Sequence, residues 1–296
     1  MPANPAPAPA ASSAPASGFA RLLNRLSRRV RSTLAPVPEI PATLWMQTVQ
    51  RYAFLGALPL QDQAKLRALS ALFLQRKEFT GVHGLEVTDA MAVAIAAQAC
   101  LPLLHWGEPA KALAWYDDFV GIVVHPGEAV ARRQAVDAAG VVHDYDEVLL
   151  GEAMERGPVM LSWPAVDGAG RPLSGGERGS GTSVVVHEFA HKLDMRNGGA
   201  DGYPPLPAGF LGTQGAGAAR ERWRAAWEPA YEDFRERVII AERFGGERPW
   251  LDAYGATAPA EFFAVACEAY FVSRERFAQE FPTLMPVLDA YFRPGG

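Results

Sequence analysis

The stretch VVVHEFAHKLD, residues 184–194, constrains the fold more than any other part of the chain. Its histidines, His187 and His191, stand four apart, a spacing that brings two side chains to one face on an α-helix. Most residues around them are apolar, so the same helix must be buried on its other faces. A chain built round such a helix has to cover it with further elements and still leave the histidine face accessible. On that face the two imidazoles can act as neighbouring ligands of one tetrahedral zinc ion. Glu188 lies about 100° round the helix from His187, within reach of a water that zinc would acidify. A carboxylate there can take the water's proton and pass it to a leaving amine. Asp194, three residues after His191, can accept the second ring N–H of a ligand histidine and so set its tautomer. The plainer alternative is a partly buried helix whose histidines are merely hydrogen-bonded.

A catalytic zinc needs a third protein ligand and an open fourth position. No histidine follows His191; the other four are His83, His105, His125 and His143. A downstream ligand must therefore be a carboxylate. The best candidates lie in PAEFFAVACEAYF, where Glu261 and Glu268 stand seven apart in an otherwise apolar helix. A carboxylate in such surroundings is costly unless it is paired or bound to metal. Glu261, in the first turn, is the expected ligand; Glu268 either supports a ligand from behind or is simply exposed. Just upstream, Tyr254 in LDAYGA can donate to the oxyanion of a tetrahedral intermediate, although most tyrosines only pack.

Composition narrows the setting. The chain has 296 residues, 49% hydrophobic and 21% charged, enough for a substantial core. The net charge of −5 gives no case for direct nucleic-acid binding. The only cysteines, Cys100 and Cys267, are far apart, which excludes a disulfide framework and a cysteine-rich metal knuckle. No apolar run reaches the length of a membrane span, and no export signal is evident, so a cytoplasmic protein is expected.

Residues 1–40 stand apart from the rest. A Pro/Ala/Ser tract over 1–18 is too poor in apolar surface to fold alone. FARLLNRLSRRVRSTL, residues 19–34, then sets Phe19, Leu22, Leu23, Leu26 and Val30 at helical spacing against five arginines. This basic amphipathic segment suits weak contact with a membrane surface or an acidic partner, or else rests as a solvated tail.

From residue 41 to 296 one domain is expected. Helices are predicted over TLWMQTVQRYAFLGAL, LQDQAKLRALSALFLQRK and TDAMAVAIAAQACLPLL, and short strands in FVGIVVHPG and GPVMLSW. Residues 167–182 form a glycine-rich surface loop lacking the order of a phosphate-cradling loop. A long helix spans 217–243, with Trp223, Trp227, Tyr231 and Phe234 as a packing stripe. A further helix follows with Thr257 as N-cap and Pro259 in its first turn, and TLMPVLDAYF forms a last short one. The fold class is α+β, mostly helical, with a small sheet beside the histidine helix.

HEFAHKLDMRNG at 187–198, followed by DAYGATAPAEFFAV at 252–265, resembles the Mlc titration factor A family of zinc metallopeptidases. The likeness reaches upstream to GPVMLSW and, loosely, over roughly 42–292. It implies a gluzincin-like fold with His187, His191 and Glu261 as zinc ligands, Glu188 as general base and Tyr254 as transition-state donor. It also implies that His143, in GVVHDYD, approaches the metal in a closed, inactive state; an ordinary loop histidine is the alternative. Family members are similar to aminopeptidases in acting on small substrates, which makes a peptide the expected substrate. In enteric bacteria they bind the transcriptional repressor Mlc. The rival to catalysis is thus a non-catalytic binding protein that sequesters a transcription factor, with zinc in a structural role.

Overall fold

The computed structural model describes residues 39–127, 129–136, 142–171 and 182–294, with side chains described outside 128–149. The expectations for the Pro/Ala/Ser tract and the basic segment at 19–34 fall outside these residues, as does most of the glycine-rich loop. The two described ends of that loop meet where Gly170 N–H donates to Thr182 O at 3.0 Å.

The fold is mostly helical with a small mixed sheet. Helices α1 (Ala42–Arg51), α2 (Ala53–Gly56) and α3 (Leu60–Arg76) lead into strand β1 (Glu78–Gly81). The first two were expected as one helix. The chain breaks at Tyr52, whose extended backbone turns its ring into the core, fully buried. Helix α4 (Asp89–Cys100) follows, capped by Thr88 Oγ1, which accepts from Met91 N–H. It is apolar all round, and almost every residue from Met91 to Cys100 is buried. After the single turn α5 (Pro109–Ala112) comes β2 (Gly121–His125).

Next the chain forms an antiparallel pair, β3 (Ala129–Val136) and β4 (Val142–Leu149), a feature with no counterpart in the sequence reading. Strands β5 (Gly151–Ala153) and β6 (Val159–Ser162) complete a four-stranded sheet of order β1-β2-β6-β5. Its first two pairings are parallel and the last, at the edge, antiparallel. Ile122, Val124, Val159 and Leu161 are buried, and the intervening residues of β2 and β6 are more open. That alternation is the two-residue period of strands with one face on the core.

The single turn α6 (Trp163–Asp167) precedes α7 (Val184–Asp194), the helix that carries His187 and His191. It packs against β5, β6, α4 and the later helix α9. Valine is a weak helix former, yet Val184, Val185 and Val186 make up the first turn of α7 and are all buried. Tertiary packing outweighs propensity there. Helix α8 (Ala216–Phe244) lays Trp223, Trp227, Tyr231, Phe234 and Val238 along one buried stripe. Trp223 and Trp227 stack at 4.7 Å and meet Phe262 and Phe263 of α9 (Pro259–Val272). Helices α10 (Arg274–Glu280) and α11 (Met285–Phe292) close the core.

The expected cap of α9 is corrected. Ala258, in extended conformation, occupies the N-cap position and Pro259 the first turn, whereas Thr257 Oγ1 donates to Tyr254 O at 2.7 Å. Among the described residues no helix is long and apolar enough to cross a membrane.

Candidate metal centre

Local chemistry starts α7 in the right place. Ser183 Oγ accepts from Val186 N–H at 3.2 Å and caps the helix, so His187 and His191 fall on consecutive turns of one face. Opposite them, Glu261 stands in the first turn of α9, where the helix dipole favours a carboxylate. The aromatic packing of α8 behind Phe262 and Phe263 presses this turn toward α7.

Three side-chain atoms converge. His187 Nε2 lies 3.1 Å from Glu261 Oε2, His191 Nε2 lies 3.3 Å from the same oxygen, and the two Nε2 atoms are 3.2 Å apart. Ligands held tetrahedrally at about 2.0–2.1 Å stand roughly 3.3–3.4 Å from one another. Two imidazole nitrogens facing each other that closely are poorly satisfied by one another, and a cation between them resolves the conflict. These three residues form the group able to hold a metal ion among the described residues.

The electrostatics agree. Burial disfavours a charged His187, but the Glu261 and Glu268 carboxylates outweigh it and push its pKa well above the usual imidazole value. Burial likewise works against ionised Glu261, yet His187 and His191 hold its carboxyl down at about 2. The trio therefore prefers positive charge set against carboxylate, the balance a cation would otherwise supply.

Glu188 points elsewhere on α7 and is almost completely buried. Burial, opposed by the two histidines and reinforced by Glu261 and Glu268, pushes its pKa up to about 6. The backbone of β5 passes directly over it: a Cβ on Gly151 would lie 2.5 Å from Glu188 Oε1. A side chain there would push the Glu188 carboxylate aside, a constraint invisible without knowing that β5 crosses the helix.

Glu268 takes the supporting alternative. Its Oε1 lies 2.8 Å from His187 Nδ1 and its Oε2 accepts from Ser183 N–H at 2.5 Å. Ser183 Oγ in turn contacts Gln98 Oε1 of α4 at 2.8 Å, so a buried chain runs from the core to the histidine. Ser183 and Gln98 were not singled out from sequence, because neither bears a motif and their link spans 85 positions.

Asp194 does not make the bond expected of it. Its Oδ2 accepts from Gly202 N–H at 2.8 Å, while Asp194 Oδ1 and His191 Nδ1 are both buried without a hydrogen-bond partner among the described residues. Burial pushes the Asp194 pKa up to about 6, against the Gly202 hydrogen bond. Tyr254 stands at the rim, 43% exposed, its ring centroid 6.1 Å from that of His187. Asp252 Oδ1 accepts from Tyr254 N–H at 2.9 Å and fixes the turn that carries it. His143 lies on β4, paired with Ala135, not in a loop; its side chain is outside those described.

Comparison with known proteins gives the chain's family. Mlc titration factor A of Salmonella arizonae is 33% identical over 237 residues, 80% of this chain and 85% of that protein. Its counterpart in Escherichia fergusonii is 34% identical over 235 residues, 78% of each chain. The family model described as glucose-regulated metallo-peptidase M90 matches residues 24–293, and it is to this family of metallopeptidases that the chain belongs.

Proposed function

We propose that the chain is a zinc-dependent peptidase of gluzincin type, with an aminopeptidase-like action on peptides in the cytoplasm and a catalytic domain over 41–296. The observation that carries this reading is the convergence of two imidazole nitrogens and one carboxylate oxygen within 3.3 Å, beside a buried glutamate. A nitrogen-rich donor set at tetrahedral spacing with one side open suits zinc better than the oxygen-preferring magnesium or calcium.

In this reading His187, His191 and Glu261 hold the ion. When bound, zinc supplies Lewis acidity, polarising the scissile carbonyl and making the attacking water acidic. Glu188, with a pKa near 6, takes the proton from that water and hands it to the departing amine. Glu268 keeps the His187 ring oriented through Nδ1. Tyr254, on its pinned turn at the rim, donates its phenol to the developing oxyanion. His143, on β4, would be a further residue to hold the ion in a closed, inactive state.

Hydrolysis of a panel of amino-acid p-nitroanilides tests the reading. Glu188→Gln should keep the metal and lower turnover by about 10²–10⁴-fold, and His191→Ala should lose both. Near-wild-type turnover in Glu188→Gln would sink the mechanism.

A second reading rests on the relatives' printed name, Mlc titration factor A. It makes the chain a binding protein for a transcriptional repressor as well as, or instead of, a peptidase. A purified repressor captured equally by wild type and Glu188→Gln, with and without chelator, supports binding independent of catalysis. No capture by either protein removes this reading.

A further inference from the structure

The residue directly after the second histidine, Lys192, has no exposed surface. A buried ammonium is costly unless its donors are used, and here all are committed away from its own helix. Lys192 Nζ donates to Met154 O at 2.5 Å and to Gly157 O at 2.9 Å, both in the turn that joins β5 to β6. Asp118 Oδ2 lies 3.5 Å away and supplies the countercharge, and the Phe119 ring sits 4.5 Å below.

The turn it grips is not a relaxed one. Arg156 adopts φ +52°, a left-handed conformation that strains any residue with a Cβ. Gly157 N–H donates to Met154 O at 3.0 Å, so that carbonyl accepts from both its own turn and the lysine. At the other end of the three-residue strand β5, Gly151 passes over Glu188. Glu188 and Lys192 are four apart and share a face of α7. One face of a single helix thus touches β5 at its beginning through Glu188 and just past its end through Lys192.

We propose that Lys192 is a positioning residue for the hydrolytic step: it clamps the β5–β6 turn to α7 and so sets how closely the Gly151 backbone covers the Glu188 carboxylate. The inference rests on the peptidase reading given above. Release of the clamp lets β5 lift, admits water over Glu188 and shifts the carboxylate out of line. Displacement of a catalytic group by about 1 Å costs on the order of 10²-fold in rate. The metal ligands, about a quarter-turn round the helix and tied to Glu261 and Glu268 of α9, stay in place.

The test compares wild type with Lys192→Met, which keeps the length of the side chain, and Lys192→Arg, which keeps the donor. Measurements are metal content, kcat and KM on p-nitroanilides, and amide hydrogen exchange of 151–153. The expected result for Lys192→Met is full metal content, kcat at least ten-fold lower, and exchange in 151–153 at least ten-fold faster, with α9 unchanged. Lys192→Arg should recover part of both losses. Should Lys192→Met be unable to fold, Lys192→Arg carries the test alone, with a smaller change of both readouts in the same direction expected. Unchanged exchange in a folded variant overturns the clamp. Faster exchange with kcat intact overturns its role in the reaction. A wild type that is metal-loaded and inert sinks the peptidase reading instead, and with it the catalytic half of the proposal; the exchange data then still decide the clamp.

Discussion

Gly202 lies at the meeting point of three helices. Its N–H donates to Asp194 of α7, its carbonyl accepts from Trp223 Nε1 of α8, and a Cβ on it would lie 2.6 Å from Pro259 O at the start of α9. Its φ of +80° is one that residues with a side chain rarely adopt. Gly202→Ala therefore combines strain with a backbone clash. Strain alone costs on the order of 1–3 kcal/mol, and the first turn of α9 has to move, taking Glu261 with it. A lowered urea midpoint together with weakened metal binding is expected; a drop in stability with metal affinity intact would mean the shift stops short of Glu261. Chemistry of this kind is hidden in a sequence. Glu261 was legible because an ionised group in an apolar helix demands a reason. Gly202 and Gly151 were not, because what they permit is an approach by another segment. For the same cause the sequence did not reveal that Gly202 N–H takes one oxygen of the Asp194 carboxylate.

At the scale of elements, periodicity served the long amphipathic and buried helices well, since α3, α4, α8 and α9 take most of their stability from one continuous pattern. It failed where context decides. The sheet's first and edge strands, four and three residues long, leave too short a pattern to recognise. The break at Tyr52 follows from burying a ring, which no local rule announces. Lys77 shows a further effect of context. Following α3, it donates to Tyr116 O and, at 2.7 Å, to Phe119 O, with the Phe119 ring 3.7 Å from its Nζ. Burial, against the pull of Asp117 and Asp118 and with the help of Lys192, lowers its pKa from 10.5 to about 8. Between these values the unfolded chain holds the proton and the folded one does not, so this residue makes stability rise with pH. Below about pH 8 both states are protonated and its contribution to the slope vanishes. On going from pH 8 to pH 10 the urea midpoint should accordingly gain less, or lose more, in Lys77→Met than in wild type, because buried cysteines and tyrosines such as Cys100 pull stability the other way and Lys77 opposes them. An identical pH slope in both proteins would show that Lys77 keeps an ordinary pKa.

For the molecule as a whole, the aromatic packing of α8 on α9 and the ion would act on the same joint. The rings hold α9 from behind, and a bound ion would tie its first turn to α7 in front. A ligand that binds only the folded state stabilises it by roughly 4 kcal/mol at a thousandfold excess over Kd. For a domain of this size that corresponds to a fall in Tm on chelation of roughly 8–16 °C. Calorimetry with and without chelator checks this, and readdition of zinc should restore the transition; an unchanged Tm would mean the three ligands hold no tightly bound ion.

His187 and Glu261 are 74 positions apart in the chain, with α8 between them. The order in which the protein is made then matters. While a ribosome is still adding α8, both histidines are already outside or nearly so, but the carboxylate that completes the trio does not yet exist. A nascent chain has only a two-histidine site of weak affinity, and a fragment ending before Pro259 has no complete one. Capture of the ion therefore comes late, after α9 has docked. On the peptidase reading, hydrolysis would thus be withheld from every unfinished copy.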